Sequence, residues 1–114
     1  MSKVEKRPWG SYKVFMQGNH CVMKELTVLP NQSLSYQYHN YRNEFWYVAF
    51  GKGIFTLNGQ DFEIEHGDTF NILVKDKHMV RNTGTTPLTI YEMQYGSKCE
   101  EDDIVRIRDI YGRS

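Results

Sequence analysis

Apolar and polar residues alternate in short runs along most of the chain, and turn residues separate the runs at intervals of roughly ten. The runs are SYKVFM (11–16), CVMKELTVL (21–29), LSYQYH (34–39) and EFWYVAF (44–50), then GIFTLN (53–58), DFEIE (61–65), DTFNIL (68–73), HMVRN (78–82) and LTIYEMQY (88–95). A period of two predicts strands with one face inward. Asn58-Gly59 predicts a tight hairpin, because both central positions of a type I′ turn need positive φ. Pro30-Asn31, His66-Gly67-Asp68 and Thr83-Gly84 predict further reversals. Helical periodicity is weak, its only trace lying in the acidic stretch Glu100–Asp103. Trp9 predicts an N-terminal strand or arm anchored by a buried indole, and Phe45, Trp46, Tyr47 and Phe50 read as core and dimer surface. So many short antiparallel strands are best relieved of exposed edges by closure. The expected fold is therefore all-β, a single jelly-roll barrel domain over residues 1–114.

Charge narrows the partners. Fourteen Lys and Arg balance fourteen Asp and Glu in 114 residues, so no overall field draws the protein to nucleic acid or to an anionic membrane. No basic stripe stands out either. The apolar runs are too short to span a bilayer, and the opening MSKVEKRPWG lacks the apolar core of a secretory signal. Cys21 and Cys99 show neither CxxC nor finger spacing, which predicts free thiols in a reducing cytoplasm.

One stretch departs from plain strand patterning. In YQYHNYRNEFWYVAFGKG (36–53), Gln37 and His39 project to one face, and Glu44 follows the short turn over residues 40–43. His78 opens a later strand in KDKHMVRN. Taken singly, each has an ordinary explanation: a polar strand residue, a satisfied histidine, half of an Arg42–Glu44 ion pair. Together they form a set that a borderline divalent metal accepts, with positions left open for water or substrate.

The spacing carries a resemblance. The cupin signature G-x5-H-x-H-x(3,4)-E-x6-G falls on Asn31, Gln37, His39, Glu44 and Gly51. Its partner G-x5-P-x-G-x2-H-x3-N falls on Gly67, Leu73, Lys75, His78 and Asn82. Gln-x-His in place of His-x-His is similar to the mannose-6-phosphate isomerases. More specifically, the chain resembles the C-terminal cupin domain of the bifunctional mannose-1-phosphate guanylyltransferase/mannose-6-phosphate isomerases. RPWGSY (7–12), KELTVLPNQSLSYQYH (24–39), NEFWYV (43–48), PLTIYEMQYG (87–96) and EEDDIVRIRDIYGR (100–113) carry the resemblance over nearly the whole chain. Departures are His39-Asn40-Tyr41 where the family has three histidines, and Leu73-Val74-Lys75 where it has Pro-x-Gly. The nucleotidyltransferase domain does not fall within these residues, so guanylyl transfer is not expected of them.

The resemblance implies metal-dependent interconversion of mannose 6-phosphate and fructose 6-phosphate. Gln37, His39, Glu44 and His78 would hold a divalent ion, with zinc foremost and Mn, Co, Ni or Fe as alternatives. Lys24, Arg42, Arg106 and Arg113 lie in matching blocks and are candidates for the substrate phosphate. Arg113 could reach the site only if the YGR tail packs back through Tyr111 and Ile110. The catalytic base stays open among His66, Glu63 and Glu92. A homodimer is expected by family analogy. Two other readings remain at this point: a sugar-phosphate-binding metal cupin without turnover, and an iron dioxygenase, against which the amide of Gln37 argues.

Overall fold

The computed structural model describes residues 4–112. Among them are eleven strands and no helix: β1 (Val4–Arg7), β2 (Gly10–Gln17), β3 (Cys21–Val28), β4 (Tyr36–Tyr38), β5 (Arg42–Phe50), β6 (Lys52–Leu57), β7 (Gln60–Glu65), β8 (Thr69–Ile72), β9 (His78–Asn82), β10 (Leu88–Gly96) and β11 (Val105–Arg108). All pairings are antiparallel, in a six-stranded sheet of order β1-β2-β3-β10-β5-β8 and a five-stranded sheet of order β11-β4-β9-β6-β7. Chain neighbours such as β4 and β5 lie in opposite sheets, which is the jelly-roll crossing expected from the strand pattern.

The strand alternation fills the space between the sheets. Val28, Leu88, Ile90 and Val48 from one sheet meet Phe55 and Val80 from the other, all fully buried. Phe55 stacks on Phe70 at 4.6 Å between centroids, and Trp46 leans on Phe55 at 5.6 Å.

The inward face changes character along β10 and β5 of the six-stranded sheet. On β10 it runs Leu88, Ile90, Glu92, Gln94; on β5, read backwards, it runs Val48, Trp46, Glu44, Arg42; on β3 Lys24 interrupts the apolar series Val28, Leu26 and Val22, and all of these are buried. Register aligns the changes, pairing Glu92 with both Lys24 and Trp46, and Gln94 with Glu44. The barrel therefore has an apolar end and a buried polar end.

The structure departs from the strand pattern at three places. The strand anticipated at 34–39 contracts to Tyr36–Tyr38, because the Leu34 amide bonds the Val80 carbonyl and Ser33 bridges Arg81. The helical trace at Glu100–Asp103 is a turn, closed by an Asp103 amide to Glu100 carbonyl bond of 3.2 Å. After it comes β11, which the hydropathy pattern did not single out, as a mostly exposed edge strand pairing only with β4. The anchored arm is present: β1 pairs with β2, and Trp9 is buried with its carbonyl accepting from the Leu29 amide. Tyr111 packs against the core and bonds Gln32 and Ser33, whereas Ile110 is exposed. Arg113 lies outside the described residues.

Turn geometry accounts for the departures from the glycine positions of the two-part signature. Asn58 and Gly59 have φ of 47° and 84°, as the type I′ hairpin requires. Asn31 and Lys75 stand where that signature has glycine, and both hold positive φ, 64° and 71°. Asparagine tolerates this region, but lysine pays a Cβ–carbonyl clash. Lys75 is exposed, and its amide donates to the His39 carbonyl at 2.8 Å. Lys75→Gly is expected to raise the free energy of unfolding by about 0.5–1 kcal/mol, and Asn31→Gly by less, in urea titrations. A loss of stability in Lys75→Gly would show that the lysine side chain contributes more than its backbone conformation costs.

Candidate metal centre

Three elements bring the ligating groups together. His39 sits just beyond β4, Glu44 near the start of β5 and His78 at the start of β9; all three are buried, and one ligand atom from each lies within 4.8 Å of the others. Gln37 is paired in register with His78 across β4 and β9, so its side chain shares the inward face. The Gln37 amide oxygen accepts from the Ser35 hydroxyl at 2.7 Å.

Backbone carbonyls orient both imidazoles. Nδ1 of His39 lies 2.6 Å from the Asp103 carbonyl, and Nδ1 of His78 lies 2.9 Å from the Asp76 carbonyl. A carbonyl can only accept, so each Nδ1 carries a proton and each Nε2 is left with its lone pair directed inward. His39 Nε2 then faces Glu44 Oε2 at 3.0 Å, and His78 Nε2 faces Glu44 Oε1 at 3.8 Å with no hydrogen-bond partner among the described residues. Lone pairs converging on a carboxylate in a buried space call for a cation between them. The donor set, imidazole with carboxylate and a nearby amide oxygen, is one that borderline divalent metals accept, so the residues fit such an ion.

Glu44 is the most heavily supported group. Oε2 accepts from Arg42 Nε at 3.0 Å, and Oε1 from the Trp46 indole at 2.9 Å. Burial acts to raise its pKa, but the neighbouring His39 and His78 rings and the Arg42 guanidinium hold it well below the usual carboxylate range. Burial pushes His78 below its ordinary value, opposed by Glu44 and reinforced by His39, which keeps the ring neutral as a ligand must be. Glu92 goes the other way. Burial first, then the Glu44 charge, push it up to about 8, although the Trp46 indole and the Gln94 amide both donate to it, at 3.0 and 2.8 Å.

A cavity of about 150 Å³ opens beside this cluster, lined by Gln37, Glu44 and Glu92 among others. Lys24, Arg42 and Arg106 also line it, in different circumstances. Lys24 is buried, ion-paired with Glu101, and 4.4 Å above the Tyr12 ring. Arg42 is turned inward, with Nη1 donating to the Glu100 carbonyl as Nε binds Glu44. Arg106 is in register with Gln37. Of the open candidates for the base, Glu63 and His66 are exposed on β7 and the turn after it, and Glu92 alone of the three lines the cavity.

Asp103 was not legible as a site residue. Its carbonyl orients His39, and its carboxylate accepts from the amides of Asn40 and Tyr41 at 2.8 and 2.9 Å, fixing the turn between β4 and β5. The only signal was its place in the family-like DDIVR block. Of the departures from the family pattern, Tyr41 is exposed beneath Lys98 and Leu73 is exposed in a loop, whereas Asn40 adjoins His39 and the exposed Lys75 bonds the His39 carbonyl through its amide. Cys21 and Cys99 are free thiols, and no described helix is long and apolar enough to cross a membrane.

Two crossing antiparallel sheets with a histidine–carboxylate cluster buried at one end define a double-stranded β-helix, the cupin architecture. The chain belongs to the family described as "Mannose-6-phosphate isomerase C-terminal", which matches residues 1–109. It is 41% identical over 108 residues to the alginate biosynthesis protein AlgA of Pseudomonas putida, covering 95% of this chain and 22% of that protein. It is 38% identical over 107 residues to a mannose-1-phosphate guanylyltransferase of Escherichia coli, covering 94% and 23%. The chain thus spans about a fifth of the length of these curated relatives. The capsular polysaccharide assembling protein CapF of Staphylococcus aureus shares the fold, with a TM-score of 0.79 at 17% identity over 96% of this chain and 35% of that one.

Replacing Asp103 by alanine frees the turn and the carbonyl that orients His39. The expected result is about ten-fold weaker zinc binding by titration calorimetry, with a stability loss of about 2 kcal/mol in thermal unfolding. Unchanged zinc affinity would show that His39 is held without this contact.

Proposed function

We propose that the polar end of the barrel interconverts mannose 6-phosphate and fructose 6-phosphate, with a divalent metal, zinc foremost, held by Gln37, His39, Glu44 and His78. The observation that carries this reading is the convergence of two carbonyl-oriented imidazoles on Glu44, in a chain belonging to the mannose-6-phosphate isomerase C-terminal family. When bound, the ion supplies Lewis-acid polarisation of the sugar oxygens at C1 and C2. The chain's own residues do the remainder. Glu92 lines the cavity beside Glu44 and is the group that takes the proton from C2 and returns it at C1. The Trp46 indole, donating to Glu44 and Glu92 together, fixes the distance between the metal-holding carboxylate and the base. The turn over residues 100–103 covers Arg42 and His39 and limits water access.

Two further expectations belong to this reading. The protein acts in the cytoplasm, where sugar phosphates are retained. Two copies pair through the outer face of the six-stranded sheet, where Met23, Met93 and Phe45 align in register with partly exposed side chains.

Proton NMR of mannose 6-phosphate in D₂O, with the zinc-loaded protein, tests the activity. Fructose 6-phosphate and deuterium at C2 are expected to appear. The double change Glu44→Ala, His78→Ala is expected to abolish both zinc binding and exchange. Glu92→Gln is expected to retain zinc yet lose exchange by about 100-fold or more. Shifts of the sugar signals without exchange in the wild-type protein would favour the alternative, a sugar-phosphate-binding cupin without turnover. Full exchange in Glu92→Gln would remove Glu92 as the base.

A further inference from the structure

Four cationic and three carboxylate side chains line the cavity at the polar end. Two of the carboxylates, Glu44 and Glu92, are buried and already bonded to neighbours, and Arg42 is bonded to Glu44. The third, Glu101, is different: it is exposed, it lies on the turn over residues 100–103, and it forms the ion pair with buried Lys24. Beside this pair stands Arg7, which the candidates for phosphate binding did not include.

Tyr12 organises the group. The Arg7 guanidinium lies 5.0 Å from its ring centroid and Lys24 Nζ 4.4 Å, an arrangement that holds two cations against one aromatic ring without either being neutralised by it. Arg7 Nη2 donates to the Tyr12 hydroxyl at 3.1 Å, and that hydroxyl lies beside Glu101. Two cations, a phenol and an exposed carboxylate therefore share one corner of the cavity. A carboxylate on a surface turn is a weakly held partner, because much of its charge is already solvated. A phosphate monoester carries more charge and more acceptor oxygens, and it can take bonds from Arg7 and Lys24 together.

We propose that Arg7, Lys24 and Tyr12 form the anion subsite of the cavity, and that Glu101 is a built-in occupant which a phosphate group displaces. The proposal rests on the reading of the cavity as a sugar-phosphate site, and it adds a residue, Arg7, and a competitor, Glu101, to it. Displacement leaves Lys24 paired to the incoming phosphate and turns Glu101 out to water. The exchange is one of side chains, and the turn over residues 100–103 keeps its contacts to His39 and Arg42.

The test is calorimetric titration of the metal-free protein with inorganic phosphate and with mannose 6-phosphate, so that no anion binds through a metal. Glu101→Gln removes the occupant and is expected to tighten both ligands about two- to five-fold. Arg7→Gln is expected to weaken both about ten-fold or more. Both residues lie at or near the surface, so each variant is expected to keep the wild-type melting temperature within a few degrees, checked by circular dichroism. Weaker or unchanged binding in Glu101→Gln, or unchanged binding in Arg7→Gln, overturns the proposal. The isomerase reading fails separately: a wild-type protein that never exchanges deuterium into the sugar, yet binds phosphate more tightly as Glu101→Gln, keeps the subsite and loses the activity.

Discussion

A single buried carboxylate governs the polar half of this molecule. Glu44 is almost wholly removed from water, and an isolated charge in that position would cost far more than the fold could supply. Its burial is tolerable because Arg42 and Trp46 donate to it and His39 and His78 flank it. Arg42 and Trp46 lie two residues to either side on β5, so strand alternation alone places them on the same face. The histidines come from elsewhere and require the second sheet. Removing Arg42 leaves the Glu44 charge buried without its cation, a change that commonly costs about 3–5 kcal/mol in proteins. The barrel is held closed at this end by electrostatics, as it is held at the other end by packing.

That division explains how a small barrel carries both a core and a buried polar cluster. The apolar end, with Val28, Leu88, Ile90, Val48, Phe55 and Val80, supplies the burial that stabilises the fold. Trp46 stands at the border, its ring against Phe55 and its indole N–H shared by Glu44 and Glu92. Position within the barrel thus sets the character of each carboxylate. Glu44, bonded to the Arg42 guanidinium and the Trp46 indole, stays ionised, while Glu92, buried next to that negative charge, is pushed up to about 8. Two carboxylates with separated proton affinities are what a metal-assisted proton transfer needs.

The turn over residues 100–103 ties the two halves of the story together. It supplies the carbonyl for His39, the carbonyl for Arg42, the carboxylate that fixes the β4–β5 turn, and the partner of Lys24. The acidic run that carries the one trace of helical periodicity is wall and fastening of the cavity. Family membership accounts for the architecture, in a chain that spans about a fifth of the length of these curated relatives.

Much of this was legible in the residue order. Period-two alternation marked nine of the strands because a half-buried strand must alternate, and Asn58-Gly59 marked its hairpin because few pairs adopt two positive φ angles. The change from apolar to polar along the inward faces of β5 and β10 was also written there, since Leu88, Ile90, Glu92 and Gln94 are simply every second residue. The spacing of Gln37, His39, Glu44 and His78 named the candidate ligands. What the tertiary structure decided was whatever depends on contacts between residues remote in sequence. Only closure of the barrel brings Asp103 to His39 across 64 positions, sets Glu101 on Lys24, brings the Glu100 carbonyl to Arg42, and separates Glu92 from Glu63 and His66 as a group lining the cavity. A strand's own periodicity says which way a side chain faces; it cannot say what will be facing it.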